Sequence, residues 1–421
     1  MVFINYLKKI MVKIFNTLTK KKEKFQTIKK NIVTLYVCGV TVYDVCHIGH
    51  ARTFIFFDIF KKFLKFLGYK VFYVRNITDI DDKIINIAQK KNVSTNEIAN
   101  RMIEEMHTDF KNLKISSPNL EPKVTSYIKE IINIIEILVK KKHAYIGKNG
   151  DIMFCIESYK KYGSLSRQNT QKLIKKYNIN KKNSLDFTLW KISSKYPNWN
   201  SPWGKGRPGW HIECSTMSST IFKNGFDIHG GGIDLVFPHH ENEIAQSYCV
   251  SEKNCPKFWM HTGMVKVQNE KMSKSLNNSV SIKKILSSYD YESIRYFLSF
   301  SQYRKNIKFE EKYLIQARSS IRRLYNSLLG ANLFLKPKWG ENFIKKFIES
   351  MSDDFNTPKA YAVLFSISKE INKMKKTKNQ KFHGLACTLK MLGKFFGILQ
   401  QDPKIFLKKY KNFTNASDKK A

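Results

Sequence analysis

The sequence predicts an α/β fold: a parallel sheet split by an insertion and followed by an α-helical bundle. Three observations predict it. A β-branched run, an apolar stripe at helical spacing and a second apolar run succeed one another between residues 32 and 74, the pattern of a strand–helix–strand unit. A mixed stretch with Trp190, Trp199, Trp203 and several prolines then separates this unit from a Gly- and His-rich segment, residues 209–263, as expected for loops at strand ends. From Tyr313 to Leu399 the apolar residues recur at helical spacing with few glycines.

The elements follow in order. Ile32 to Cys38 alternates and is β-branched, so it reads as a strand that Gly39 breaks. A helix from His50 to Leu67 shows its apolar face through Phe54, Phe57, Phe60, Phe63, Leu64 and Leu67, and Gly68 closes it. Val71 to Val74 is the second strand. The unit has the right length for a right-handed crossover in a parallel sheet, and such sheets bind nucleotides where the strand feeds the helix. Asp79, Asp81 and Asp82 suit a polar helix start better than a metal site. Two helices follow, one through Ile98, Met102, Met106, Phe110 and Leu113, the other through Val124, Ile128, Ile131, Ile135 and Leu138. Phe226 to Ile228 reads as a strand leading to Gly230-Gly231-Gly232. The expected boundaries are an extension over 1–10, the first half of the sheet domain over 11–125, the insertion over 126–208 and the second half over 209–265. A basic loop region over 266–312, the bundle over 313–402 and a frayed, lysine-rich tail over 403–421 complete the chain.

The 421 residues, 42% of them hydrophobic, suffice for two or three domains with a sizeable core. The formal net charge is +40, from 74 Lys+Arg against 34 Asp+Glu. Such an excess favours a phosphate-rich partner through counterion release. The lysines are nevertheless spread among many Asn, Ile and Phe residues, as drift in an AT-rich genome would also leave them, so charge alone decides nothing. The seven cysteines are scattered and odd in number, which argues against a disulfide framework and for a reducing, cytoplasmic compartment. Met1 to Ile10 lacks the apolar core and cleavage site of a signal peptide, and no apolar run is long enough to span a membrane.

His47-Ile48-Gly49-His50 stands where the first strand feeds its helix. Histidines three residues apart at a helix N-terminus share a face, the free backbone N–H groups favour anions, and Gly49 admits a nucleotide close to the backbone. Donors so placed stabilise charge that develops on a phosphate. Alone, the pair also suits packing roles. Lys271-Met272-Ser273-Lys274-Ser275 brackets small polar residues with lysines, as expected of a mobile loop that closes on a triphosphate and offsets the charge of a leaving pyrophosphate. Cys38, Cys214, His239 and Glu243 form a third set. His239 and Glu243 share one helical face, and two thiolates, an imidazole and a carboxylate suit Zn²⁺. Their spacing is not that of a zinc finger, so buried thiols beside a capping His240 fit equally. His229 to Asp234 reads as a tight turn or as backbone brought close to a ligand.

In this order and at this separation, the first two motifs match the ATP site of class I aminoacyl-tRNA synthetases, which the chain resembles. The third set narrows the resemblance to the cysteinyl-tRNA synthetases. It covers residues 11–405 and includes Asp353-Asp354-Phe355-Asn356-Thr357-Pro358. It implies a Rossmann-type catalytic domain and a tRNA-binding bundle. It implies activation of cysteine with ATP to cysteinyl-adenylate and transfer to the 3′ end of cysteine tRNA. Cysteine, ATP and that tRNA are then the partners, with Mg²⁺ accompanying ATP and one Zn²⁺ per chain. The implied catalytic residues are His47, His50, Lys271 and Lys274. Gly49, Gly231 and Gly232 join His47, His50 and Lys274 around ATP. Gly39, Thr78, Trp210 and Asp234 bind the amino acid, Asp234 through its ammonium. Cys38, Cys214, His239 and Glu243 hold the zinc, and His240 and Glu241 do not. A thiol-binding zinc would separate cysteine from serine without an editing domain. A cytoplasmic monomer without membrane contact is expected. The chain stops about where the family's anticodon-reading domain begins. This leaves two rivals: a cysteine ligase of the mycothiol-biosynthesis type with an amino-sugar acceptor, and a non-catalytic tRNA- or cysteine-binding paralogue, disfavoured by the intact ATP motifs.

Overall fold

Lys13–Asn16 (β1) and Lys21–Lys24 (β2) form an antiparallel hairpin that leads into Ile32–Thr41 (β3), the strand on which the site is built. This computed structural model describes residues 10–168, 181–267, 270–271 and 278–409. Ile48–Phe66 (α1) crosses from β3 to the parallel strand Lys70–Thr78 (β4). Asp82–Lys91 (α2), Thr95–Asn112 (α3) and Ile128–Lys140 (α4) follow. Ala144–Ile146 (β5), Ile152–Phe154 (β6), Phe187–Ile192 (β7) and Gly206–Pro208 (β8) pair in sequence order as a separate antiparallel sheet. Ile212–Phe222 (α5), Ile228–Gly232 (β9), Glu241–Val250 (α6) and Phe258–Thr262 (β10) return to the first sheet. Its order is β10-β9-β3-β4, and every pairing is parallel. The order reverses at β3, because β4 and β9 lie on its opposite sides. A crevice therefore opens beyond the carboxyl ends of β3 and β9.

Three local readings change. β3 does not stop at Gly39 but runs to Thr41, with a register shift between Val37 and Val40. Glycine is required there because a Cβ would lie 1.6 Å from the Asn76 carbonyl oxygen. Gly230 to Gly232 are not a turn after a strand; they are paired inside β9, where a Cβ on Gly230 would strike the Phe57 ring at 2.2 Å. The tail is ordered in part: Pro403–Lys409 (the last helix described) packs Phe406 on the Tyr325 ring, with centroids 4.0 Å apart. Residues 410–421 of that expected tail lie outside the described residues. Other readings stand. Gly68 follows α1 at φ +93°, and Asp81 caps α2 by accepting the Lys83 N–H at 2.7 Å.

After β10 comes a small sheet of Val265–Val267 (β11), Glu270–Lys271 (β12) and Ile307–Lys308 (β13), with Ile282–Ser288 (α7) and Tyr291–Ser299 (α8) between. Glu311–Leu328 (α9), Glu341–Ser352 (α10), Thr357–Lys376 (α11) and Phe382–Phe396 (α12) form the bundle. The Asp353–Pro358 motif is the clasp between bundle and sheet domain. Asp354 and Phe355 take left-handed φ values of 55° and 50°. Asp354 then accepts from the Phe15 N–H at 2.9 Å, the Tyr303 hydroxyl at 2.8 Å and Arg304 at 2.8 and 3.0 Å. Phe355 is buried on the Phe56, Phe60 and Phe63 rings of α1, and Asn356 caps α11 through the Lys359 N–H.

A second tie is wholly buried. Arg295 of α8 donates to Asp58 Oδ2 of α1 at 2.7 Å, to the Phe396 carbonyl at 2.6 Å and to the Leu113 carbonyl at 3.0 Å. Burial alone would raise the Asp58 pKa, but Arg295 and Lys62 draw it down to about 2. Because the folded value lies below the ordinary carboxylate value of 3.8, the stabilisation is present above that value and lost as pH falls toward 2. Asp58→Asn should cost roughly 3–5 kcal/mol near neutrality, because it leaves a buried guanidinium unpaired. In urea titrations the gap from wild type should narrow as pH drops from about 4 to about 2.

Candidate active site

The crevice is a cleft of about 680 Å³. β3 contributes Cys38 and Gly39, the start of α1 contributes His47, Gly49 and His50, and β4 contributes Thr78. Gly232 and Asp234 close it from the end of β9, and Trp210, Cys214 and His239 form a further wall. These eleven were singled out in the sequence; Thr41, Thr53, Lys83 and Met264 line the cleft too and were not. Glu243 and Gly231 stand just behind this lining: Glu243 touches Cys38 and His239, and a Cβ on Gly231 would lie 2.8 Å from the His240 ring. Lys271 enters β12 opposite Lys266. Lys274 lies outside the described residues.

The first turn of α1 is built by the two histidines themselves. His47 Nδ1 accepts the Gly49 N–H at 3.1 Å, and His50 Nδ1 accepts the His47 N–H at 3.2 Å. The rings stack with centroids 3.8 Å apart. A backbone N–H can only donate, so both Nδ1 atoms are acceptors, and each neutral ring carries its proton on Nε2. The reciprocal cap thus fixes two Nε2–H donors at a helix start, where the helix dipole already favours an anion.

Behind them lies a buried cluster. Cys38 Sγ is 3.5 Å from Cys214 Sγ, 3.5 Å from Glu243 Oε1, 3.3 Å from His240 Nε2 and 3.4 Å from His229 Nε2. His239 Nε2 is 2.9 Å from Glu243 Oε1. Donor atoms of Cys38, His239, His240 and Glu243 all lie within 4.8 Å of one another, so His240 stands in this grouping and Cys214 beside it. Burial pushes the Cys38 thiol well up, aided by Cys214 and Glu243, and burial does the same to the Glu243 carboxyl. The hydrogen bond from Cys38 draws Cys214 down. Burial holds His229 and His240 neutral, their pKa values well below the usual 6.5, and takes His261 to about 3. Two thiols, a carboxyl and neutral imidazoles at contact distance are a donor set that fits a thiophilic divalent cation, which would displace their protons.

Sequence reasoning set His240 aside as a ligand, although it stands in this grouping, and missed His261, His211, Thr17 and Glu213 around the cluster. His240 bridges Cys38 and His261, with 2.7 Å between His240 Nδ1 and His261 Nε2. His261 Nδ1 lies 2.8 Å from the Thr17 hydroxyl. His211 Nδ1 is 3.0 Å from His239 Nδ1, and Trp210 stacks on the His239 ring at 4.4 Å. Thr78 donates to the buried Glu213 at 3.0 Å. The density of histidines among residues 211–261 was the available signal. Five of the chain's ten histidines fall there.

Comparison with known proteins shows the family. Residues 24–319 match the family described as tRNA synthetases class I (C) catalytic domain, and residues 346–400 match the DALR domain. The chain is 53% identical over 414 residues to the cysteine–tRNA ligase of Blochmanniella pennsylvanica, covering 95% of this chain and 87% of that protein. It is 50% identical over 403 residues to the cysteine–tRNA ligase of Proteus mirabilis, covering 94% and 87%. The methionyl-tRNA synthetase of Mycobacterium tuberculosis, solved with methionyl-adenylate, aligns at a TM-score of 0.64 over 89% of this chain and 93% of that one. At 12% identity that likeness is one of fold.

The cleft depends on a strand that can pass Asn76 without a side chain. Gly39→Ala should therefore lower the urea midpoint by a destabilisation well beyond the ~1–3 kcal/mol usual for overpacking once converted to free energy, since the clash is with backbone. A midpoint equal to that of wild type would show that the bulge is not needed.

Proposed function

The chain belongs to the cysteine–tRNA ligases, class I aminoacyl-tRNA synthetases, and on that premise we propose how its residues divide the work. The reaction is ATP-dependent and AMP-forming. A carboxylate oxygen of cysteine attacks the α-phosphorus of ATP, the α–β anhydride bond breaks and pyrophosphate leaves. A terminal ribose hydroxyl of the tRNA then attacks the carbonyl carbon and AMP leaves. One observation supports the division above all: a single cleft is lined both by the His47–His50 pair and by Cys38, Cys214 and His239.

His47 and His50 donate from Nε2 to oxygens of the α-phosphate as charge builds there. Gly49, Gly231 and Gly232 keep side chains away from the nucleotide, as Gly39 does beside the amino acid. Lys271 and Lys274 meet the charge of the departing pyrophosphate, and Mg²⁺ accompanies ATP. Asp234 accepts from the substrate ammonium, while Thr78 and Trp210 bound the pocket for the side chain. Cys38, Cys214, His239 and Glu243 would hold one Zn²⁺, with His240 within reach of the same point. Bound there, the ion supplies a soft Lewis acid that prefers a thiolate to a hydroxyl. The sheet domain, 11–125 and 209–265, carries the chemistry, and the segments 266–312 and 313–402 carry the tRNA. We place the protein in the cytoplasm as a monomer. Among the described residues no helix is long and apolar enough to cross a membrane. The relatives, all of them ligases of tRNA by name, weigh against an amino-sugar acceptor.

ATP–pyrophosphate exchange with cysteine, run beside charging of cysteine tRNA, tests the reading; exchange without charging would point to another acceptor. Cys214→Ser should release zinc and raise the KM for cysteine far more than that for ATP. Full selectivity over serine in metal-free protein would defeat the metal assignment. His50→Gln retains a group able to cap the helix but loses the imidazole donor. It should slow adenylate formation by about 10²–10³-fold, the usual effect of removing one preorganised donor. An unchanged exchange rate would remove His50 from the mechanism.

A further inference from the structure

The loop of residues 329–340, between α9 and α10, carries large apolar side chains to the surface. Phe334 is 101% exposed, Trp339 51% and Leu335 48%. Such exposure contributes nothing to folding, and clustered apolar exposure marks a binding surface. Yet the loop is firmly held. The Asn332 N–H donates to His383 Nδ1 at 3.0 Å, and its carbonyl accepts from Cys387 Sγ at 3.4 Å. The Lys338 N–H donates to the Gly384 carbonyl at 3.2 Å, and the Lys338 carbonyl accepts from the Thr388 hydroxyl at 3.3 Å. All four partners belong to α12, so the loop is fastened near both ends to one helix. A Cβ on Gly340 would lie 2.5 Å from Thr388, and one on Gly384 would lie 3.1 Å from the Trp339 ring. Trp339 is held at φ +63°, a conformation that bulky residues rarely adopt. The Lys381 ammonium stands 4.4 Å from its ring centroid. Residues 329–340 and 371–396 together contain nine lysines and no Asp or Glu.

We propose that this fastened loop is a stacking platform for unpaired bases of RNA. Phe334 and Trp339 offer ring faces, and Lys336, Lys338 and Lys381 meet the flanking phosphates. Aromatic faces interleaved with cations are the means by which single strands are held, tolerant of sequence because every base has a π-face. The predominantly basic surround, in which Glu341 and Glu370 are the adjoining acids, selects a polyanion, and RNA is a polyanion with faces to stack. The proposal deepens the functional reading above and rests on it, since the RNA in question is the ligase's own tRNA.

The test uses the full chain with Phe334→Ala, Trp339→Ala, Phe334→Leu and Phe334→Tyr. Charging of cysteine tRNA and ATP–pyrophosphate exchange without tRNA are measured side by side. Phe334→Ala, Trp339→Ala and Phe334→Leu should each lower kcat/KM for tRNA by about 5- to 100-fold, the range for one lost stacked base. Exchange and thermal midpoint should stay as in wild type, and Phe334→Tyr should charge normally. Unchanged charging in both alanine variants would overturn the proposal. So would full repair by leucine, which would mark the face as an apolar seat for protein or lipid. A wild-type chain that exchanges pyrophosphate but charges no tRNA would overturn the functional reading itself, and the proposal with it.

Discussion

The architecture turns on a guanidinium with no access to water. Arg295 is fully buried and ties together α1, the chain after α3 and the end of α12. Gly397 follows α12 at φ +69°, and a Cβ there would lie 2.4 Å from Arg295 Nε. Two charges in a core hold only if their geometry is nearly complete, and this requirement sets the rotation of α1 about its axis. The same helix begins with His47 and His50. The orientation of the two histidines is thus set two to three turns away, by a contact between the sheet domain and the bundle. The Asp354 clasp adds a second constraint from the opposite side, through Phe355 packed on the same helix.

Within that frame the cleft is defined largely by atoms that are missing. Gly39 gives way to the Asn76 carbonyl, Gly230 to Phe57, Gly231 to His240 and Gly232 to the Asp234 carboxylate. A parallel sheet whose strand order reverses leaves a crevice in any case. Here the absent Cβ atoms let β3 pass close to β4 and let β9 lie against Phe57 and the His240 ring, while Gly39 and Gly232 line the cleft without side chains. The glycine run therefore belongs to the packing of the site as much as to any ligand.

Much of this was legible in the sequence because it is local. The strand–helix–strand periodicity, the histidines at the helix start, Gly68 and the Asp81 cap depend on neighbours within a few residues. What escaped depends on distant ones. Nothing near Gly39 announces that Asn76 will face it, so the glycine read as the end of a strand and not as a bulge. Gly230 to Gly232 read as a tight turn or as backbone close to a ligand, not as part of the strand, because the Phe57 ring that excludes a side chain at Gly230 lies on another element. Asp353 to Pro358 was recognisable as a motif, but its function as a clasp needed Phe15, Tyr303 and Arg304 in place. Of the buried cluster, Cys38, Cys214, His239 and Glu243 were named in advance. His229 and His261 were not, because their contacts run across β9 and β10 and carry no sequence spacing. Lys274 lies outside the described residues, and its part remains a proposal.

The reciprocal cap at the head of α1 has a consequence for how a ligand meets the site. In most helices the first turn is closed by a serine or aspartate side chain, and the groups that act on a ligand are separate and still free to rotate. In the proposed mechanism the closing groups and the acting groups are the same two rings. Freezing the imidazoles is part of folding, so no rotamer entropy is left to be lost when a phosphate arrives, and neither ring needs to choose a tautomer. The helix start is in this sense a rigid two-pronged fork. A mutation that loosens the first turn would degrade recognition and architecture together, with no intermediate grade in which the donors are present but mobile.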